Sequence, residues 1–126
     1  MKKVISTPLA PAPLGPYSQA ILAGDTLYVS GQIPLNVTSG ELVTTSIEDE
    51  TRQVMENLSV ILNEAGYAFD DVVKCCIFVA DLGNFTAINK VYGRYFNEEI
   101  APARETVEVS ALPKGVGVEI SCIAVK

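Results

Sequence analysis

PARETVEVSALPKGVGVEISCIA, running from Pro102 to Ala124, holds the two runs that decide the fold. Arg104 to Val109 alternates polar and apolar residues with a period of two, and Val118 to Ala124 does the same. That is the pattern of strands with one face turned to a core. Between them, Leu112-Pro113-Lys114-Gly115 is turn chemistry, because proline presets φ and glycine accepts a positive one. Successive side chains on a strand point to opposite faces. Val107 and Val109 therefore share one face, and Arg104, Thr106 and Glu108 the other; Val118, Ile120, Cys122 and Ala124 likewise oppose Glu119 and Ser121. With both apolar faces on one core, Arg104 and Glu119 are expected to emerge from the same polar side. A guanidinium fork there can clamp a small carboxylate while the glutamate handles a water or a proton. The plainer reading is a pair of solvated cross-strand charges.

The chain of 126 residues is expected to form one domain spanning 1–126. Its hydrophobic fraction, 48%, is high for so short a soluble protein and suggests that another subunit covers some apolar surface. No run approaches the length of a membrane span, and Lys2-Lys3 is followed by no apolar leader. The expectation is a cytoplasmic protein with no membrane partner. Nine basic against fifteen acidic residues give a net charge of −6, and no segment supplies the basic stripe that a phosphate backbone needs, so no nucleic-acid partner is expected. Histidine is absent, which removes the commonest general base and metal ligand. Cys75, Cys76 and Cys122 show neither metal spacing nor a disulfide framework and read as buried free thiols.

Lys3 to Ser6 reads as a short first strand. Pro8, Pro11, Pro13 and Pro16 keep the following segment extended. It ends in Gly15-Pro16-Tyr17-Ser18-Gln19, where a rigid turn delivers a tyrosine. Gly24-Asp25 reads as a hairpin turn between Ser18–Ala23 and Thr26–Ser30, and Gly31 closes that strand as a residue whose backbone can be approached closely. Asn36 to Gly40 reads as a further turn. Ser46 is a suitable N-cap, Glu48, Asp49 and Glu50 suit a helix start, and Ile47, Thr51, Val54, Leu58, Ile61, Leu62 and Ala65 recur at helical spacing up to Gly66. Val72 to Ala80 is apolar enough for a central strand covered on both sides. A second helix from near Asn84 to near Asn97 buries Phe85, Ile88, Tyr92, Tyr95 and Phe96, with Asn89 beside that stripe. The result is an α+β layer with two helices on one face of a mixed sheet. Two helices leave the other face bare, and the simplest cover is another copy of the chain.

Five blocks together resemble the RidA group of the Rid superfamily, the reactive intermediate deaminases. They are Gly15-Pro16-Tyr17-Ser18-Gln19, Ser30-Gly31-Gln32-Ile33-Pro34, Asn89-Lys90-Val91-Tyr92, Pro102-Ala103-Arg104, and Leu112-Pro113-Lys114-Gly115 through Val118-Glu119-Ile120. The resemblance implies a chorismate-mutase-like homotrimer with a central β-barrel and sites at subunit interfaces. It implies hydrolysis of 2-iminobutanoate and 2-iminopropanoate to 2-oxo acids and ammonia, with neither cofactor nor metal. By the same resemblance, Arg104 holds the substrate carboxylate and Glu119 positions and activates water. Tyr17 and Asn89 supply polar groups, and Ser30 and Gly31 form the strand-end wall. Thr106 stands where many members have cysteine; a main-chain contact there survives the exchange, whereas a role for the thiol does not. The alternative is a non-catalytic trimer that binds small carboxylates through Arg104 and serves regulation. An RNA-cleaving role has been attached to relatives, and the acidic charge and missing histidine argue against it.

Overall fold

The computed structural model describes residues Met1–Lys126. Lys2–Ile5 (β1), Ala20–Ala23 (β2) and Thr26–Gln32 (β3) form an antiparallel meander. Gly24 turns the β2–β3 hairpin at φ 61°, a conformation that glycine adopts without a Cβ penalty. Leu35–Asn36 (β4) and Glu41–Leu42 (β5) make a separate two-stranded ribbon around the expected turn. The main sheet continues through Val72–Val79 (β6), Ala103–Glu108 (β7) and Val118–Val125 (β8), in the order β1-β2-β3-β8-β6-β7.

The two strands of the deciding stretch therefore do not pair with each other. β6 lies between them, antiparallel to β8 and parallel to β7. A parallel pair cannot be closed by a hairpin, and the crossover is made by the helix Phe85–Gly93 (α2). The longer helix, Ile47–Glu64 (α1), packs on β3 and β8 from the same side as α2. Ser46 caps α1, its Oγ accepting a bond from the Asp49 N–H at 3.0 Å. Gly66, at φ 79°, ends it. Val54, Met55, Leu58, Ile61 and Leu62 are buried against the sheet. Beyond α2, whose last residue is Gly93, Tyr95 and Phe96 lie outside the helix. They fold onto Phe69 with ring centroids 5.4 and 5.3 Å away, an edge-on aromatic cluster that replaces further helical turns.

Strand register settles which face each residue takes. Cys75 stands between Arg104 and Cys122, and Ile77 between Thr106 and Ile120. These rows turn toward the helices, where Cys75, Ile77, Val79, Val118, Ile120 and Cys122 are buried. Arg104 and Thr106 thus lie on the helix-covered face. Glu119 stands opposite Phe78, which in turn pairs with Val107, on the other face. The expectation that Arg104 and Glu119 share a side is overturned. β7 is an edge strand, and its polar row faces the helical layer where that layer thins out; its valine faces away and is 42% exposed.

The other face has no helix over it. Cys76, Phe78, Ser121 and Ile123 are only half-buried, and Tyr28 is 50% exposed. β6 is therefore covered on one side by its own chain, not on two. Cys75 and Cys122 are buried free thiols, but Cys76 is not. Its Sγ donates to Glu105 Oε2 at 2.9 Å, and Lys74 holds the other oxygen at 2.8 Å.

Candidate active site

The extended leader is pinned before it reaches Tyr17. Buried Gln19 accepts from the Thr7 N–H at 2.7 Å and donates from Nε2 to the carbonyls of Thr7, Ala10 and Pro11 at 3.0, 3.2 and 2.9 Å. A chain with few backbone partners of its own is thereby fixed by one amide side chain. Tyr17 follows this staple, exposed, with its hydroxyl accepting from the Leu14 N–H at 3.5 Å. Ser30 donates to the Ser18 carbonyl at 2.6 Å and so ties β3 to the tyrosine turn.

The β3–β8 ladder slips between Val29 and Gln32, where one extra residue on β3 makes a bulge. Gly31 sits in the bulge directly under Glu119. A Cβ built there would collide with Glu119 Oε2 and stand 2.9 Å from its Cδ. The glycine leaves room for the carboxylate in this position. Glu119 lies in a cleft of about 370 Å³ with Tyr17, Ser30, Gly31 and Lys114. Burial pushes its carboxyl above the usual glutamate range, because a charge in a low-dielectric surrounding is disfavoured.

Arg104 occupies a second cleft, of about 400 Å³, with Asn89, Tyr92, Phe96 and Glu98. Its Nη1 donates to Asn89 Oδ1 at 2.7 Å. Its guanidinium carbon lies 5.0 Å from the Tyr92 ring centre and 5.6 Å from that of Phe85. The amide and the two rings orient the fork by charge-assisted bonding and cation–π attraction. Thr106 lies two residues along the same strand face, its Oγ1 buried without a hydrogen-bond partner. The two clefts share no lining residue. One chain therefore brings together Arg104, Asn89 and Thr106 on one side of the sheet, and Tyr17, Ser30, Gly31 and Glu119 on the other.

Gln19, Lys114, Tyr92 and Phe85 take part in this arrangement beyond the residues singled out in the sequence. Gln19, Tyr92 and Lys114 stand inside the resembling blocks without a role of their own, and Phe85 carried only a helical core signal. No group of three or more metal-ligating side chains comes together, and no helix is long and apolar enough to cross a membrane.

A six-stranded mixed sheet with two helices on one face, carrying an oriented arginine and a half-buried glutamate on opposite sides, defines the structural class. The family model described as "Endoribonuclease L-PSP" matches residues 7–126. A RutC family protein of Pyrococcus horikoshii is 52% identical over 100% of this chain and 99% of its own length. A 2-iminobutanoate/2-iminopropanoate deaminase of Dermatophagoides farinae is 48% identical over 98% and 96%. The crystal structure of RidA from an Antarctic Psychrobacter superposes with a TM-score of 0.93 at 40% identity, covering 98% of this chain and 99% of that one. The chain belongs to this family, the Rid superfamily that includes the RidA proteins.

Proposed function

We propose that this protein hydrolyses short 2-imino acids such as 2-iminobutanoate and 2-iminopropanoate, releasing the 2-oxo acid and ammonia. The observation that carries the reading is that one chain presents both a preoriented guanidinium and a desolvated carboxylate, each at the edge of its own cleft. Arg104 takes the substrate carboxylate in its fork, and Asn89 and the Thr106 strand hold the rest of the molecule in register. Glu119 accepts a proton from water as the water oxygen bonds to C2 of the imine. The proton passes to nitrogen to give the carbinolamine; its hydroxyl proton then moves through Glu119 to the amino group as C=O forms, the C–N bond breaks and ammonia leaves. A carboxyl whose pKa lies above its ordinary value suits a group that both takes and returns a proton. Tyr17 borders the attacking water, and Ser30 and Gly31 form the wall behind it.

The two clefts meet in this reading when copies assemble, with the Arg104 cleft of one subunit set against the Glu119 cleft of its neighbour. The assembly is a homotrimer whose bare sheet faces close into a central barrel. The half-buried apolar residues of the uncovered face support it, as does the separation of the clefts by the sheet. The domain works as one unit over 1–126, in the cytoplasm. The test is release of 2-oxobutanoate from enzymatically generated 2-iminobutanoate, compared with buffer alone. Acceleration over buffer is expected; binding of 2-oxobutanoate without acceleration would assign the site to carboxylate binding instead.

A further inference from the structure

Lys114 is the one non-glycine residue with a positive φ, 58°. It is followed by Gly115 at φ 70°, so two successive left-handed residues shape the turn before β8. Left-handed backbone is costly for an ordinary side chain, and glycine or asparagine would occupy the position more cheaply. A lysine kept there points to a task for its side chain.

Its position indicates the task. Lys114 borders the Glu119 cleft and also the adjoining cleft lined by Tyr17, Gln19 and Gln32. In both linings it is the only cation, and the one other charged residue, Glu119, lines the first of them. Arg104 lies across the sheet in a cleft of its own. An anionic substrate approaching Glu119 thus meets a like charge, on a chain whose net charge is −6. Until the anion reaches the Arg104 fork set against this cleft in the assembled site, only Lys114 offsets that repulsion. A lysine, with a compact charge on a flexible stem, suits attraction at a distance better than fixed bidentate docking.

We propose that Lys114 is an electrostatic guide for small carboxylates, placed at the mouth of the Glu119 cleft at the expense of a left-handed backbone. This rests on the reading of that cleft as half of the imine site. The guide acts on capture of the anion and leaves the chemical step to other groups.

The experiment measures calorimetric binding of 2-oxobutanoate and of its uncharged methyl ester to the wild type, Lys114→Met, Lys114→Arg and Lys114→Gly. Each is run at ~0.01 M and ~1 M salt, where the screening length falls from about 30 Å to about 3 Å. Lys114→Met and Lys114→Gly are expected to bind the anion about threefold to tenfold more weakly at low salt. They should match wild type at high salt and leave ester binding unchanged, while Lys114→Arg restores the wild-type value. Lys114→Gly keeps the turn, so its thermal midpoint should equal or exceed that of wild type, which separates loss of charge from loss of structure. In turnover, the loss falls on KM with kcat unchanged. A Lys114→Met protein that binds the anion as tightly as wild type at low salt overturns the proposal alone, as does a loss that salt does not abolish. A wild type that fails to bind 2-oxobutanoate overturns the site reading and the guide together.

Discussion

Gly31 and Glu119 are best understood as one unit. The carboxylate lies where a Cβ at position 31 would be, so the bulge leaves the glutamate a seat that only glycine provides. Gly31→Ala should fold, because the colliding atoms belong to the mobile end of a side chain. The displaced carboxylate should cost turnover about tenfold or more while binding of 2-oxobutanoate changes little. Measuring both on one preparation checks this. Glu119→Gln removes the charge and keeps the shape. Turnover should fall roughly 10²-fold, with binding of 2-oxobutanoate unchanged or tighter, since a like charge near the ligand is gone. The pH dependence follows from the raised carboxyl. Burial disfavours the ionised form, so the folded state loses stability as pH rises from the unfolded glutamate value through the folded one. Above that window Glu119→Gln should be at least as stable as wild type in urea. The acid limb of the wild-type pH–rate profile should lie above the ordinary glutamate pKa and vanish in the variant.

The strands and helices show where periodicity was a sufficient guide. Alternation located β7 and β8, a continuous apolar run located β6 and a turn signal located β3, each to within about two residues, and the 3.6-residue stripe located α1. Parity within β7 was misread for a physical reason. An edge strand beside an incomplete helical layer can turn its polar row inward, so alternation reveals two faces without saying which is covered. The order of strands was equally hidden, since a turn-like Leu112–Gly115 gives no sign that β6 inserts between β7 and β8. The site residues came from motif blocks, and the same blocks hold Gln19 and Lys114, whose parts depend on distant partners and on backbone geometry that no block reveals. Among the local signals, the α1 cap is the simplest to test. Ser46→Ala deletes the acceptor for the Asp49 N–H and should cost about 1 kcal/mol, a fall in thermal midpoint of about 4 °C, with kcat unaltered.

In the proposed trimer, each complete site draws on two chains, and that makes the arrangement testable by mixing. Arg104→Ala and Glu119→Gln proteins should each be nearly inactive. Co-refolded in equal amounts, they should recover about a quarter of wild-type activity, because random assembly pairs an intact arginine half with an intact glutamate half at that frequency. Recovery near zero with mixed oligomers present would put both groups in a site built by one chain. Sedimentation of the wild type at micromolar concentration should give a trimer. The strand order also bears on how the protein is made. β8 comprises Val118–Val125, the last strand in chain order, yet it lies in the middle of the sheet between β3 and β6. Until it is synthesised, β1-β2-β3 and β6-β7 are two fragments with exposed facing edges and no seam. At typical translation rates the earlier strands wait on the order of ten seconds with those edges open. A nascent chain in that state is a template for pairing with its neighbours on the same message. The last eight-residue strand thus acts as a zip, and a premature stop before Val118 leaves an aggregation-prone pair of half-sheets rather than a shortened protein.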